Sequence, residues 1–173
     1  MKLIHKIPVF IVLSILLQES IDQLIFNGNW NLALIPRQDI WRIFTAPFSH
    51  GNFSHAISNI LVFFPLSYLV INKNIISYIF IWIGYFIFEI AIWLFSVNSM
   101  HGLSGIVYSL LGYLIFIGFL EGQILSILYS ILIILVYGNL LYSLLPMFSG
   151  QEISWLGHFS GFINGILIAL LSM

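Results

Sequence analysis

Apolar runs separated by short polar breaks dominate the chain. Lys2 and Lys6 precede the first run, Ile7 to Leu17, and a polar but aromatic stretch follows from Gln18 to about Ser54. The next runs are about His55 to Ile71, closed by Asn72-Lys73-Asn74, and Ile75 to Val97, closed by Asn98-Ser99. Ser104 to Leu120 is closed by Glu121-Gly122-Gln123. Ile124 to Leu145 follows, then a turn-rich stretch from Pro146 to Trp155, and the last run is about Leu156 to Met173. Runs of this kind predict membrane-spanning helices of about 20 residues each. The pattern therefore predicts an all-α polytopic membrane protein with six transmembrane helices and a long first loop. Six helices use about 120 residues, so residues 1–173 read as one six-helix transmembrane domain, with no soluble domain and no seventh helix. No small-x-small cleavage site follows Leu17, where the chain reads Gln18-Glu19-Ser20-Ile21. The first run is expected to be a retained helix and not a signal peptide.

Composition agrees with this pattern and narrows it. Of the 173 residues, 61% are hydrophobic and 6% are charged, against about a quarter charged in an ordinary soluble domain. The formal charge is −1. These figures exclude a soluble globular protein, a disordered chain and a basic nucleic-acid binder, and make the lipid bilayer the expected partner. There is no cysteine, which excludes disulfide scaffolds, Cys-ligated zinc, iron–sulfur clusters and thiol chemistry. Lys2, Lys6 and Lys73 fall on one side of the six-span arrangement, and Arg37 and Arg42 fall on the other. The excess puts both termini in the cytoplasm. The first loop, about residues 20 to 54, carries Trp30, Trp41, Phe44 and Phe48 among other apolar residues. It is expected to lie partly in the outer headgroup zone.

With that orientation, the second, fourth and sixth helices all start on the outer face. Those starts carry the three strongest polar clusters: His55 to Asn59, Gly102-Leu103-Ser104-Gly105, and Gly157-His158-Phe159-Ser160-Gly161. From Ser104 to Phe119 the helix is only about 24 Å long, against about 30 Å of hydrocarbon. The same length runs from His158 to Met173. Ser104 and His158 are thus expected at one depth, below the outer boundary, where polar groups face a cavity and usually serve a function. His55 and Asn59 share a face, as do Ser104 and Tyr108. Gly161-x-x-x-Gly165-x-x-x-Ala169 is a small-residue stripe on the His158 face. It would draw the sixth helix against the fourth and bring His158 within reach of Ser104.

A serine hydroxyl needs a base to become a nucleophile, and His158 is the natural one. No carboxylate is expected at that depth: Glu152 is in the preceding loop and Glu89 is in the third helix. A Ser104–His158 dyad is the simplest reading, with Tyr108 placed to pack on the imidazole. The Ser104 backbone N–H starts a helix and is free to stabilise an oxyanion, helped by side-chain donors from His55 and Asn59. The chemistry this permits is peptide hydrolysis within the membrane.

These residues resemble the rhomboid family of intramembrane serine proteases in its minimal six-helix form. The matching pieces are Trp41-Arg42, His50, His55-x-x-x-Asn59, Gly102-Leu103-Ser104-Gly105 with Tyr108, and Gly157-His158-x-x-Gly161-x-x-x-Gly165. They agree with the family in order and spacing over about residues 41 to 170. The resemblance implies a rhomboid-like bundle, Ser104 as nucleophile, His158 as base, and His55, Asn59 and the Ser104 amide as oxyanion hole. Gly102, Gly105, Gly161, Gly165 and Tyr108 would support the site. It implies transmembrane protein substrates cut near the outer boundary, no cofactor, and a fifth helix or a loop of about residues 146 to 155 that moves to admit them. The expected location is a bacterial inner membrane. Leu103 and Leu156 stand where the family often has small residues.

Other readings carry less. His50, His55, His101 and His158 could all lie near the outer face, but no HExxH or other single-helix ligand spacing supports a metal site. A catalytically inactive rhomboid-like protein that binds transmembrane clients would not need Ser104, His158 and Gly102 together. A transporter or channel would need paired intramembrane charges or inverted repeats, and Glu89 reads as the only carboxylate inside a span. Trp41 and Arg42 read as loop anchors, His101 as shaping the nucleophile loop, and Gly138-Asn139 as a weak point in the fifth helix.

Overall fold

The computed structural model describes residues 3–30, 32–147 and 155–173. These fold into seven α-helices: α1 (Ile7–Ile25), α2 (Arg42–Thr45), α3 (Phe53–Lys73), α4 (Ile75–Phe95), α5 (Ser104–Glu121), α6 (Ile124–Tyr137) and α7 (Trp155–Leu171). Short 3₁₀ segments precede α1, follow α2 and extend α6 over Gly138–Leu144. Among the described residues, five helical stretches are long and apolar enough to cross a membrane, and α7 is a shorter apolar sixth. The chain is thus an integral, multi-pass, all-helical membrane protein. Its single β feature among these residues is an isolated bridge between Leu34 and Met100, which ties the first loop to the segment before α5.

Local chemistry sets several boundaries. Asn52 caps α3 by accepting the His55 N–H at 2.9 Å, and Asn74 caps α4 by accepting from Ile76 and Ser77. Both satisfy helix-end donors that have no carbonyl a turn earlier. Gly122, at φ 67°, closes α5 in the left-handed conformation.

Two boundaries differ from the pattern in the sequence. The first helix does not stop at Leu17 but continues to Ile25, so Glu19 and Asp22 also lie inside a helical span. Glu89 is therefore not the only carboxylate in the spans. The polar residues that suggested an end, Gln18, Glu19 and Asp22, are buried against the protein, and a hydropathy pattern does not show which face of a helix is turned from lipid. Asp22 also shapes the exit: its carboxylate accepts the Trp30 N–H at 2.7 Å. The second difference is in the fifth apolar run. It is not one helix from Ile124 to Leu145, because regular α-helix ends at Tyr137 and a 3₁₀ segment begins at Gly138.

The helices alternate in direction. The start of α1 and the ends of α3 and α5 share one face, where Lys73 pairs with Glu121 at 2.8 Å and His5 bonds Asn72 at 3.1 Å. The starts of α3, α5 and α7 share the other. Helix α5 is central, with most of its residues buried. Only Ser130 and Ile133 of α6 are buried, so α6 lies on the outside.

The closest packing is between α5 and α7. A Cβ at Gly161 would lie 2.2 Å from the Gly105 carbonyl oxygen, and one at Gly165 would lie 2.1 Å from that of Ser109. From the other side, a Cβ at Gly112 would lie 2.4 Å from the Phe162 carbonyl oxygen. Backbone meets backbone along this seam, which only glycine permits. Asn164 then locks α7 to both neighbours, donating to the Ile81 carbonyl at 2.9 Å and to Ser109 Oγ at 3.2 Å.

Gly165→Leu should separate the two helices and destabilise the fold by at least about 1–3 kcal/mol, as overpacking does elsewhere. Gly138→Ala, whose new Cβ would make only an ordinary contact at 3.6 Å, should cost little. Thermal unfolding of both variants in detergent checks this; equal melting temperatures would remove the seam as the determinant of packing.

Candidate active site

Ser104 is the first residue of α5, and its backbone N–H has no carbonyl behind it in the helix. The turn before it is built by Gly102, whose φ of +100° disfavours any side chain. A Cβ there would also press to 3.3 Å from His55 Cε1. Two backbone bonds hold this turn. Gly102 N–H donates to the Ala46 carbonyl at 2.9 Å, and Leu103 N–H donates to His50 Nε2 at 3.3 Å. Leu103 itself is fully buried and plugs the turn into the core.

His158 lies one turn into α7, across the glycine seam. Its Nε2 is 3.0 Å from Ser104 Oγ. The Tyr108 ring is stacked on the imidazole, with centroids 4.2 Å apart and planes tilted 21°. Gly105 has the Tyr85 ring and the Gly157 carbonyl against it; a Cβ would stand 2.6 Å from Tyr85 Cε2. The Ser104–His158 separation is thus set by Gly105, Gly161 and Gly165 together.

A cavity of about 500 Å³ opens onto the pair. His55 and Asn59 line it from α3, with Tyr85 and Glu89 from α4 and Asn139 and Ser143 from the 3₁₀ segment. Asn59 donates one amide N–H to the His55 carbonyl at 3.0 Å; an amide carries two such hydrogens, so one is left for an incoming oxygen. Ser104, His158, Tyr108, His55, Asn59, Gly102 and Gly105 therefore line one cavity, while Gly161 and Gly165 lie in the seam against Gly105 and Ser109. Glu89, beside Tyr85 in the cavity wall, shares that space and is 2% exposed. Glu152 and most of the loop of residues 146 to 155 fall on 148–154, outside the described residues.

Sequence reasoning missed two features. The first is Ser143, whose Oγ is 3.1 Å from His158 Nδ1. Its only signal was a hydroxyl in an apolar run, and its placement depends on the α6 helix ending at Tyr137. The second is how His50 acts. Burial, with the neighbouring His55 and His101 adding to it, pushes its imidazole down to about 3. It is therefore neutral at pH 7 and free to accept from Leu103. Its ring sits 5.1 Å from that of His55, which sits 5.8 Å from His101. Among the described residues, no group of three or more His, Cys, Asp or Glu side chains is arranged to hold a metal ion. Arg42 anchors the loop below, bonding the Ala33 carbonyl at 3.3 Å and Asp39 at 3.2 Å, while Trp41 is half-exposed beside it.

A family model for the rhomboid domain matches residues 37–173. The chain belongs to the rhomboid family. It is 27% identical to an uncharacterized protein of Mycobacterium leprae, an alignment that takes in 90% of this chain and 66% of that one. It is also 27% identical to uncharacterized proteins of Mycobacterium bovis and Mycobacterium tuberculosis, over 90% of this chain and 69% of theirs. The chain thus spans about two thirds of the length of these relatives. The matched region of the rhomboid domain begins in the first loop and contains every residue of the site described above.

The His50 shift carries a sign for stability. Its value in the fold, about 3, is below the unfolded 6.5, so the unfolded chain takes up the proton first. Stability is full above about pH 6.5 and declines as pH falls toward 3. His50→Gln keeps an acceptor for Leu103 but does not titrate. Its melting temperature in detergent should therefore fall less between pH 6.5 and 4 than the wild type's; parallel slopes would assign the acid sensitivity elsewhere.

Proposed function

We propose that the protein is an intramembrane serine endopeptidase that cleaves transmembrane segments of other proteins with Ser104 as nucleophile and His158 as general base. The observation that carries this reading is the 3.0 Å contact between His158 Nε2 and Ser104 Oγ at the start of a helix, open to a cavity. Membership of the rhomboid family supports it.

In this reading, Nε2 takes the hydroxyl proton as Ser104 Oγ attacks the scissile carbonyl carbon. The developing oxyanion lies against the Ser104 N–H, the α5 dipole and donors from Asn59 and His55. As the C–N bond breaks, the imidazolium returns its proton to the leaving amine. A water then gives its proton to Nε2 and attacks the acyl-serine, releasing the new carboxyl end and restoring both residues. No cofactor is required for these steps. The stacked Tyr108 ring keeps the imidazole plane facing Ser104 throughout.

The position of the cavity supports transmembrane segments as the substrate class. It opens at the shared starts of α3, α5 and α7, so the bond cut is near one membrane boundary, the outer one if the lysine-rich face is cytoplasmic. That orientation puts both termini in the cytoplasm of a bacterial cell whose inner membrane holds the chain as one six-helix unit. A transmembrane helix must unwind to expose a peptide bond to Ser104, because the carbonyls of a regular helix are bonded internally.

Labelling the detergent-solubilised protein with a fluorophosphonate tests the activated serine. Wild type should label, and Ser104→Ala and His158→Ala should not, with melting temperatures unchanged. A folded wild type that takes no label would favour a client-binding rhomboid without catalysis. With a cleavable transmembrane reporter, Asn59→Ala should lower kcat about 10²- to 10³-fold, the effect of losing one oxyanion donor in other enzymes; an unchanged kcat would leave Asn59 a structural role only.

A further inference from the structure

Several hydrogen bonds converge where the α6 helix gives way to its 3₁₀ extension. Ser143 Oγ lies 3.1 Å from His158 Nδ1. The Ser143 hydroxyl donates to the Leu140 carbonyl at 2.9 Å. The Tyr108 hydroxyl donates to the same carbonyl at 2.9 Å and also touches Ser143 Oγ.

The direction of these bonds follows from proton counting. A neutral imidazole has one N–H and one bare nitrogen. A serine has one proton, and the Leu140 carbonyl, which can only accept, lies 2.9 Å from Ser143 Oγ. With the Ser143 proton on that carbonyl, Ser143 Oγ faces Nδ1 as an acceptor and Nδ1 carries the proton. Nε2 is left bare and aimed at the Ser104 hydroxyl, 3.0 Å away. In neutral histidine, the bond made by one nitrogen decides the state of the other.

We propose that Ser143 is a positioning residue that holds His158 in the tautomer with Nδ1 protonated and Nε2 free to act as base. It stands where a buried carboxylate stands in a three-residue serine-protease site. This inference rests on the protease reading for its consequence, though not for its geometry. A hydroxyl suits a site lined with apolar residues at this depth, since it orients the ring without placing a second charge in a low-dielectric surround. Tyr108 contributes from the other side: its ring stacks on the imidazole, and its hydroxyl holds the carbonyl that holds Ser143. The Ser143–Leu140–Tyr108 set thus converts one backbone carbonyl into a defined tautomer two hydrogen bonds away. Ser143 lies on a segment with no fully buried residue, where Leu140, Leu141 and Leu144 pack partly buried against the core and these bonds add to that hold.

The experiment is nitrogen-15 NMR of the detergent-solubilised protein with labelled histidine at pH 8, with His158→Ala used to assign the His158 signals. Wild type should show a protonated Nδ1 and a bare Nε2. Ser143→Ala should lose that state, and Ser143→Thr, which keeps the hydroxyl, should retain it. On the transmembrane reporter, Ser143→Ala should lower kcat about 10- to 100-fold with KM little changed, the size expected when a buried N–H loses its partner. Threonine should restore it. A serine that only fastened the segment would, on removal, lower the melting temperature and leave the tautomer as it was. That result, or a wild type with its proton on Nε2, would overturn the proposal. A wild type that neither labels nor cleaves, yet carries the Nδ1 proton and loses it in Ser143→Ala, would sustain the positioning role and remove the protease reading.

Discussion

The approach of α5 to α7 along their glycines is the constraint on which everything else depends. Gly161 and Gly165 lie against the carbonyls of Gly105 and Ser109, and Gly112 lies against that of Phe162. Inside a bilayer, apolar side chains gain little from leaving lipid for protein, so helix association relies on dispersion contacts and interhelical hydrogen bonds. A seam without side chains maximises the first. Asn164, bonded to Ile81 and Ser109, supplies the second. Ser104 and His158 straddle the end of this seam at the starts of α5 and α7. A shift of about 1 Å between the helices would break the 3.0 Å contact between Ser104 and His158, which in enzymes costs far more rate than stability.

The Ser104 side is held differently. Gly102 and Leu103 are tied to Ala46 and to a neutral His50, both contributed by the first loop. That loop is fastened in turn by Arg42 and by the Leu34–Met100 bridge. Its apolar residues also pack with others beneath the cavity. Leu34, Ile43, Ala46, Ile92 and Met100 form a small core of their own under the site. A loop with such a core can act as scaffold, so the start of α5 is braced from a segment far away in sequence.

The His158 side is braced by the least buried part of the bundle. The inner half of α6 is fixed to α5: Ser130 Oγ bonds the Leu114 carbonyl at 2.9 Å, and Gly118 admits the Ser126 carbonyl, which a Cβ would meet at 2.2 Å. The 3₁₀ part, Gly138–Leu144, has no fully buried residue; Leu140, Leu141 and Leu144 pack partly buried against the core, and the Tyr108, Leu140, Ser143 and His158 bonds add to that hold. Polar contacts thus supplement an apolar packing that is only partial here. In a lipid surround such a segment has low local stability, and its position and the ring orientation of His158 depend on the same bonds.

Much of the protein was legible in its residues alone. Length, apolar runs and the scarcity of charge establish a multi-pass helical protein, because a bilayer leaves few other solutions for such a chain. The i, i+4 spacings of His55 with Asn59 and of Ser104 with Tyr108, and the stripe of Gly161 and Gly165, depend on helical periodicity, which is local. They could be read without coordinates. What needed the tertiary structure depended on which face of a helix is covered and by what. Glu19 and Asp22 belong to α1 because that face is turned from lipid, and composition along the chain does not record facing. The role of His50 depends on burial and on a partner 53 residues away. Ser143 reaches Nδ1 only because regular helix ends at Tyr137, and an apolar run continues unbroken across that change. Hydrophobicity tells a residue to be in the membrane; only packing decides which neighbour its one polar atom will meet.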